Sequence, residues 1–317
     1  MRLATVLTPP TDGNFLLAAQ CGVTDFVCRY PGDDPQMLAR MHRKAASFGM
    51  ALSVVEGYLP IERLKLGQDD GRELAAMKAL LSQMGDLGVP ILCYNFMAGT
   101  DWVRTQLAAP ERAGAKVTAF RLADVERAVS LSATATSGMQ EIISAETLWK
   151  NLERFLDELL PVAERFGVTL AAHPDDPPLP ELLGKARILN SVEGFDRLLR
   201  LAPSAHNALC FCQATFAMMG VDIPATIRRF GPHIQYVHFR DSRGTAADFA
   251  ETFHDNGQTD MPAAMRAYRD IGFTGPLRPD HVPQMYGEDD GEPGYTMQGR
   301  LFAYGYIRGL MQATSAG

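Results

Sequence analysis

Short apolar runs alternate along this chain with longer amphipathic stretches. The short runs are Leu3–Leu7, Asp25–Arg29, Ala51–Val55, Pro90–Tyr94, Val168–Ala172, Ala208–Phe211, Ile234–Phe239 and Pro276–Arg278. Runs of this length, closed by turn residues, read as buried strands. Between them the apolar spacing switches to threes and fours, which predicts helices over Phe15–Cys21, Gln36–Phe48, Arg72–Leu87, Glu146–Phe166, Gly184–Leu201, Ile223–Phe230, Met261–Ile271 and Met297–Met311. The strongest is Glu146–Phe166, where Leu148, Leu152, Phe155, Leu159, Val162 and Phe166 fall on one face. Ser144 can cap its start and Gly167 its end, and Pro161 is expected to kink it.

Strands alternating with helices imply a parallel sheet with the helices outside. Eight such units predict a closed (β/α)8 TIM barrel, and no dinucleotide-type glycine fingerprint follows the first strand. The whole chain, 1–317, reads as a single barrel domain. The alternation breaks once, over 98–140 after the fourth strand. There Asp101-Trp102-Val103-Arg104 precedes a short helix expected over Ala123–Val129 and a run of small residues, Ser132–Ser137. So long an irregular connection points to a functional loop, and it is expected to pass over one end of the barrel as a lid.

Composition narrows the function classes. The 317 residues are 46% hydrophobic and 21% charged, as in an ordinary globular protein, and carry a net charge of -7. That charge argues against a nucleic-acid partner. No apolar run approaches the roughly 20 residues that cross a bilayer, and no targeting segment is visible, so a cytoplasmic protein is expected. The five cysteines are odd in number and lie mostly in or beside apolar runs, which suggests reduced, buried thiols.

The chemistry concentrates where strands end. His173 closes the fifth strand before Pro174, which cannot extend a ladder. Cys212 closes the sixth, His238 the seventh and Asp280 the eighth. Each alone has a bland reading as a surface histidine, core thiol or turn residue. In a closed barrel these strand ends are neighbours, so two imidazoles, a thiolate and a carboxylate can meet at one divalent cation. Asp175, Asp176 and Asp241 are nearby candidates to orient the imidazoles. Glu56 and Asn95 end strands three and four and so also face the mouth.

Ala172-His173-Pro174-Asp175-Asp176-Pro177-Pro178, Phe211-Cys212, Val237-His238-Phe239-Arg240, Arg278-Pro279-Asp280-His281 and Pro293-Gly294-Tyr295 resemble the mannonate dehydratase family, which has a xylose-isomerase-like barrel. Ser53–Glu56, Ile61–Gly67, Cys93–Met97, Asp101–Thr105, Phe253–Gly257 and Gly299–Leu301 fit the same pattern. The resemblance implies a hydro-lyase that removes water from D-mannonate to give 2-keto-3-deoxy-D-gluconate. It implies Mn2+ held by His173, Cys212, His238 and Asp280, with His281 and Tyr295 as proton donor and acceptor. Softness of the thiolate alone would favour Zn2+ or Fe2+. The chain departs from the family at Leu7-Thr8-Pro9-Pro10 and at Gln213-Ala214-Thr215, which leaves a related sugar acid open as substrate.

The residue types suit the chemistry. Loss of the weakly acidic C2 proton needs a Lewis acid and a base, and the departing C3 hydroxide needs a proton. Tyr295 is expected as the base and His281 as the acid, with the reverse assignment open. A carboxylate substrate needs cations, for which Arg240, Arg278 and Arg300 are candidates. His254 is a candidate for substrate contact or loop capping, Asn95 for substrate contact, and Trp102 for the lid or an anchor of its loop. Alternatives are a metal-dependent sugar isomerase or epimerase on the same barrel and a non-catalytic sugar-acid binder. A homo-oligomer is compatible with the sequence, but no stripe marks the contact.

Overall fold

The computed structural model describes residues 1–32, 34, 36–131 and 141–315. Eight strands, β1 (Arg2–Thr5), β2 (Asp25–Cys28), β3 (Ala51–Glu56), β4 (Ile91–Tyr94), β5 (Thr169–Ala172), β6 (Asn207–Cys212), β7 (Ile234–His238) and β8 (Pro276–Arg278), close into a parallel barrel in chain order. β8 returns to pair with β1 through Arg2 opposite Pro276. The expected TIM-type barrel is therefore present.

Two cores follow from the period-two alternation of strand side chains. The inward set, including Val27, Val54, Cys93, Ala171, Cys210 and Tyr236, fills the barrel interior. The outward set, including Leu52, Leu170, Leu209, Phe211 and Val237, meets the surrounding helices. The helix Ala145–Phe166 buries Leu148, Leu152, Phe155, Leu156 and Leu159 against that outer layer, each worth roughly 1.5–3 kcal/mol on burial. Ser144 caps it by accepting the Thr147 N–H, and Gly167 closes it in the left-handed region at φ 65. Pro161 lies inside this helix without ending it.

Three expectations are corrected. The helix expected from Gly184 begins at Val192 instead; residues before it form a small hairpin, Glu181–Leu182 against Lys185–Ala186. Leu183 and Gly184 turn that hairpin at φ 52 and 74, and Ser191 then caps the helix by accepting the Gly194 N–H. The helix expected over Ala123–Val129 is a 3-10 segment, Leu122–Arg127. The connection after β4 is largely sheet: Gln106–Pro110 pairs with Lys116–Arg121, which pairs with the hairpin Ser242–Thr245 and Asp248–Glu251 that follows β7. Val103, Phe120, Leu179, Leu182, Met218 and Phe249 form the small core beneath it. The Ser132–Ser137 run lies outside the described residues.

Candidate active site and metal centre

Strand register sets the level of the site. Cys212 stands opposite His238, and His238 opposite Arg278. His173 follows β5 directly, its N–H bonded to the Tyr94 carbonyl at 2.7 Å. Asp280 lies just beyond β8 with φ 50, a left-handed conformation that costs a non-glycine residue energy and that tends to mark functional sites.

Ligand atoms of His173, Cys212 and His238 all lie within 4.8 Å of one another. The Asp280 carboxylate adjoins them, 3.5 Å from His238 Nδ1. Acceptor-only groups face both rings. His173 Nδ1 donates to the Pro174 carbonyl at 2.7 Å, and a Glu56 carboxylate oxygen lies 2.9 Å from His238 Nε2. His173 Nε2 and His238 Nδ1 face each other at 3.2 Å, with Asp280 3.5 Å from the latter. Two ring nitrogens that close need a proton or a cation between them.

The electrostatics make the same demand. Burial raises the Cys212 thiol, but Arg240 and His173 outweigh it and hold the group well below the usual thiol range, as a thiolate. Asp280 is likewise held low against its burial by Arg278, His281, His238 and Arg240. Burial lowers His173 and His238, yet the facing thiolate and carboxylates hold both above the ordinary histidine value. A divalent ion satisfies the same demand that these protons meet.

An ion-pair network surrounds the site. Arg104, delivered by the excursion, grips Asp176 through two bonds of 3.0 and 2.9 Å and Glu251 at 2.7 Å. Arg240 bridges Asp176 at 2.8 Å, Glu251 at 3.3 Å and Asp280 at 2.5 Å. Arg278 joins Glu56 at 2.9 Å to Asp280 at 2.8 Å, and Tyr236 donates to Glu56 at 2.8 Å. Within this connected network four carboxylates and the Cys212 thiolate face three guanidinium groups. With neutral histidines two negative charges remain, the deficit that a divalent cation fills. The residues present therefore fit such an ion.

A cavity of about 690 Å3, counting space open at its mouth, lies over these groups. His173, His238, Asp280, His281, Tyr295, Asn95, Trp102, Arg240 and Arg278 line it. His281 Nδ1 is 2.6 Å from Glu251, and its ring stacks on Trp102 at 4.5 Å. Burial raises Glu251, but His281, Arg104 and Arg240 bring it down to about 2. Tyr295 donates to Asp280 at 3.5 Å and meets the edges of both Trp102 and His281 at 5.3 Å. Burial, the largest influence on Tyr295, pushes its phenol above the ordinary value. Trp102 has φ 44, and its buried indole N–H has no partner among the described residues. Asn95 accepts at its oxygen from Lys65 at 3.0 Å and from the Met97 N–H.

Two expected cavity residues stand behind the wall. Arg300 is buried beneath Tyr295, its guanidinium 4.9 Å from the ring centre. His254 is buried and donates from Nε2 to the Pro279 carbonyl at 3.0 Å, where it supports the turn carrying Asp280. The candidate orienting residues are also corrected. Asp175 accepts the Leu189 N–H, Asp241 binds Ser242 and Thr259, and Asp176 belongs to the arginine clamp. The Pro174 carbonyl orients His173, and the Glu56 carboxylate faces His238.

Sequence reasoning missed Arg29 and Glu251. Arg29 lines the cavity immediately after β2, 21% exposed, bonded to Glu292 at 2.9 Å and placed over the Tyr295 ring at 4.6 Å. Its place at a strand end was a usable signal. Glu251 lies at the end of a polar hairpin and gives none.

Comparison with known proteins agrees with this arrangement. The family model for D-mannonate dehydratase (UxuA) matches residues 20–317. A mannonate dehydratase of Oceanobacillus iheyensis is 34% identical over 285 residues, 83% of this chain and 81% of that protein. The crystal structure of a mannonate dehydratase from Streptococcus suis superimposes with a TM-score of 0.87 at 28% identity, covering 100% of this chain and 94% of the other. A xylose isomerase domain protein from Planctomyces limnophilus shares the fold at a TM-score of 0.64 and 12% identity, covering 100% and 98%. No helix among the described residues is long and apolar enough to cross a membrane. The chain belongs to the D-mannonate dehydratase family of hydro-lyases.

Proposed function

We propose that this enzyme removes water from D-mannonate, or a closely related sugar acid, to give 2-keto-3-deoxy-D-gluconate. The observation carrying the proposal is the pair of imidazole nitrogens facing each other at 3.2 Å beside the Cys212 sulfur and the Asp280 carboxylate, beneath one cavity. His173, Cys212, His238 and Asp280 would hold a divalent cation, Mn2+ in keeping with the family resemblance. When bound, such an ion supplies Lewis acidity that eases loss of the C2 proton beside the substrate carboxylate.

The protein's own groups divide the proton work. His281 donates from Nδ1 to Glu251, which leaves Nε2 with a lone pair toward the cavity and suits it to take the C2 proton. Glu251 then faces the imidazolium that forms. Tyr295 is an ordinary protonated phenol at neutral pH and is raised further by burial, which suits it to protonate the departing C3 hydroxide. This reverses the assignment favoured from residue types alone. Arg278 and Arg29 supply positive charge in the cavity wall for the substrate carboxylate. Arg240 also lines the cavity, where it pairs with three carboxylates and holds Asp280 in place. Trp102 stacks on His281 and closes the site from the excursion side.

The test is incubation of the purified protein with Mn2+ and D-mannonate, with mass analysis of the product. Loss of one water to a 2-keto-3-deoxy acid supports the proposal. An isomer of unchanged mass shows an isomerase or epimerase, and binding without turnover shows a sugar-acid binder.

A further inference from the structure

Below the cation set, the barrel interior holds a second group of soft donors. Cys210 lies two residues before Cys212 on β6, so both side chains face inward and Cys210 sits one layer deeper. Cys93 on β4 belongs to the same inner cluster. The two sulfurs and a ring nitrogen of His238 lie within 4.8 Å of one another, and all three residues are buried. Glu56, paired in register with Cys93, brings a carboxylate oxygen to 2.9 Å from His238 Nε2. Cys93 also lines the cavity, which gives the group a path to solvent.

A disulfide does not fit this pair. β4 and β6 flank β5, so their backbones stand on the order of 9 Å apart at about 4.8 Å per strand spacing. A disulfide needs Cα atoms within about 7 Å. A cation bonded at about 2.3 Å to each sulfur spans such a gap.

We propose that Cys93, Cys210 and His238, with Glu56 beside them, form a deeper site for a thiophilic divalent cation such as Zn2+ or Cd2+. Binding replaces both thiol protons by two metal–sulfur bonds and takes any proton off the ligating nitrogen of His238, and the released protons pass to water. His238 belongs to both levels, so an ion at the lower level draws a ligand away from the upper one. The site does not depend on the dehydratase reading: either can fail while the other stands.

The test uses the full chain with Cys212→Ala, which removes the upper thiolate, and adds Cd2+ while following the ultraviolet charge-transfer absorption of cadmium–thiolate bonds. The expected result is absorption matching two thiolates per bound Cd2+, falling by half or more when Cys93→Ala or Cys210→Ala is added. Absence of the band in Cys212→Ala, or an undiminished band in either double variant, overturns the proposal. If Cys212→Ala does not fold, single variants on the wild-type background decide. The band per bound Cd2+ then falls by half or more in Cys93→Ala and Cys210→Ala if those thiols hold the ion, and is unchanged if Cys212 alone does.

Discussion

A Glu56 carboxylate oxygen stands 2.9 Å from Nε2 of His238, while Nδ1 of the same ring stands 3.2 Å from His173. One residue at the end of β3 thereby sets a negative charge against the ring of a residue at the end of β7. Glu56 itself is raised by burial but held low by Arg278 and His238, so it stays an anion. Its effect on the cation set is indirect, through the ring it orients.

Glu56→Gln keeps the shape and removes the charge. Mn2+ affinity is expected to fall about 10–100-fold, measured by equilibrium dialysis, with circular dichroism confirming the fold. Unchanged affinity would show that the Glu56 charge does not support His238 as a ligand.

Glu251 supports His281 from the hairpin that follows β7. Glu251→Gln is expected to lower kcat about 100-fold or more, in the range typical of a lost general base, with KM little changed. A matching fall in His281→Asn, not additive in the double variant, would place both in one unit. Unaltered kcat in Glu251→Gln would remove His281 as the base.

Arg104 is buried against Asp176 and Glu251. Arg104→Ala strands both carboxylates and is expected to cost about 3–5 kcal/mol, as for other broken buried pairs. Urea unfolding measures it. Arg104→Lys is expected to recover only part, because an ammonium does not reproduce the two-pronged contact with Asp176.

Burial lowers His254 from 6.5 to about 4. Its neutral form is therefore favoured by folding. The contribution is complete above 6.5, where the unfolded chain is also neutral, and is lost as pH falls from 6.5 through about 4. Near pH 4 the loss approaches about 3 kcal/mol. His254→Gln lacks this titration, so its stability relative to wild type should improve between pH 7 and pH 4 in urea unfolding. A difference that stays constant with pH would contradict the assignment.

Strand ends were the legible part of this protein. His173, Cys212, His238 and Asp280 could be brought together on paper because barrel closure makes neighbours of β5 to β8, and short apolar runs announce strands clearly. Arg29 follows the same rule at the end of β2 but was passed over. Glu251, Arg104 and the two small sheets they sit on were hidden for a physical reason. The strands of the excursion are short, and Lys116–Arg121 pairs with a hairpin more than a hundred residues later, so no local periodicity marks them. Arg240 and Arg300 looked like substrate contacts by residue type alone. Only the structure shows one paired with carboxylates in the cavity wall and the other beneath Tyr295.

The central claim is that one divalent cation is held by His173, Cys212, His238 and Asp280. Anomalous diffraction from crystals loaded with Mn2+ tests it most directly. A single strong peak is expected within about 2.0–2.6 Å of His173 Nε2, Cys212 Sγ, His238 Nδ1 and an Asp280 oxygen. A manganese peak elsewhere in the barrel, or one that leaves out Cys212 or either histidine, would contradict the account.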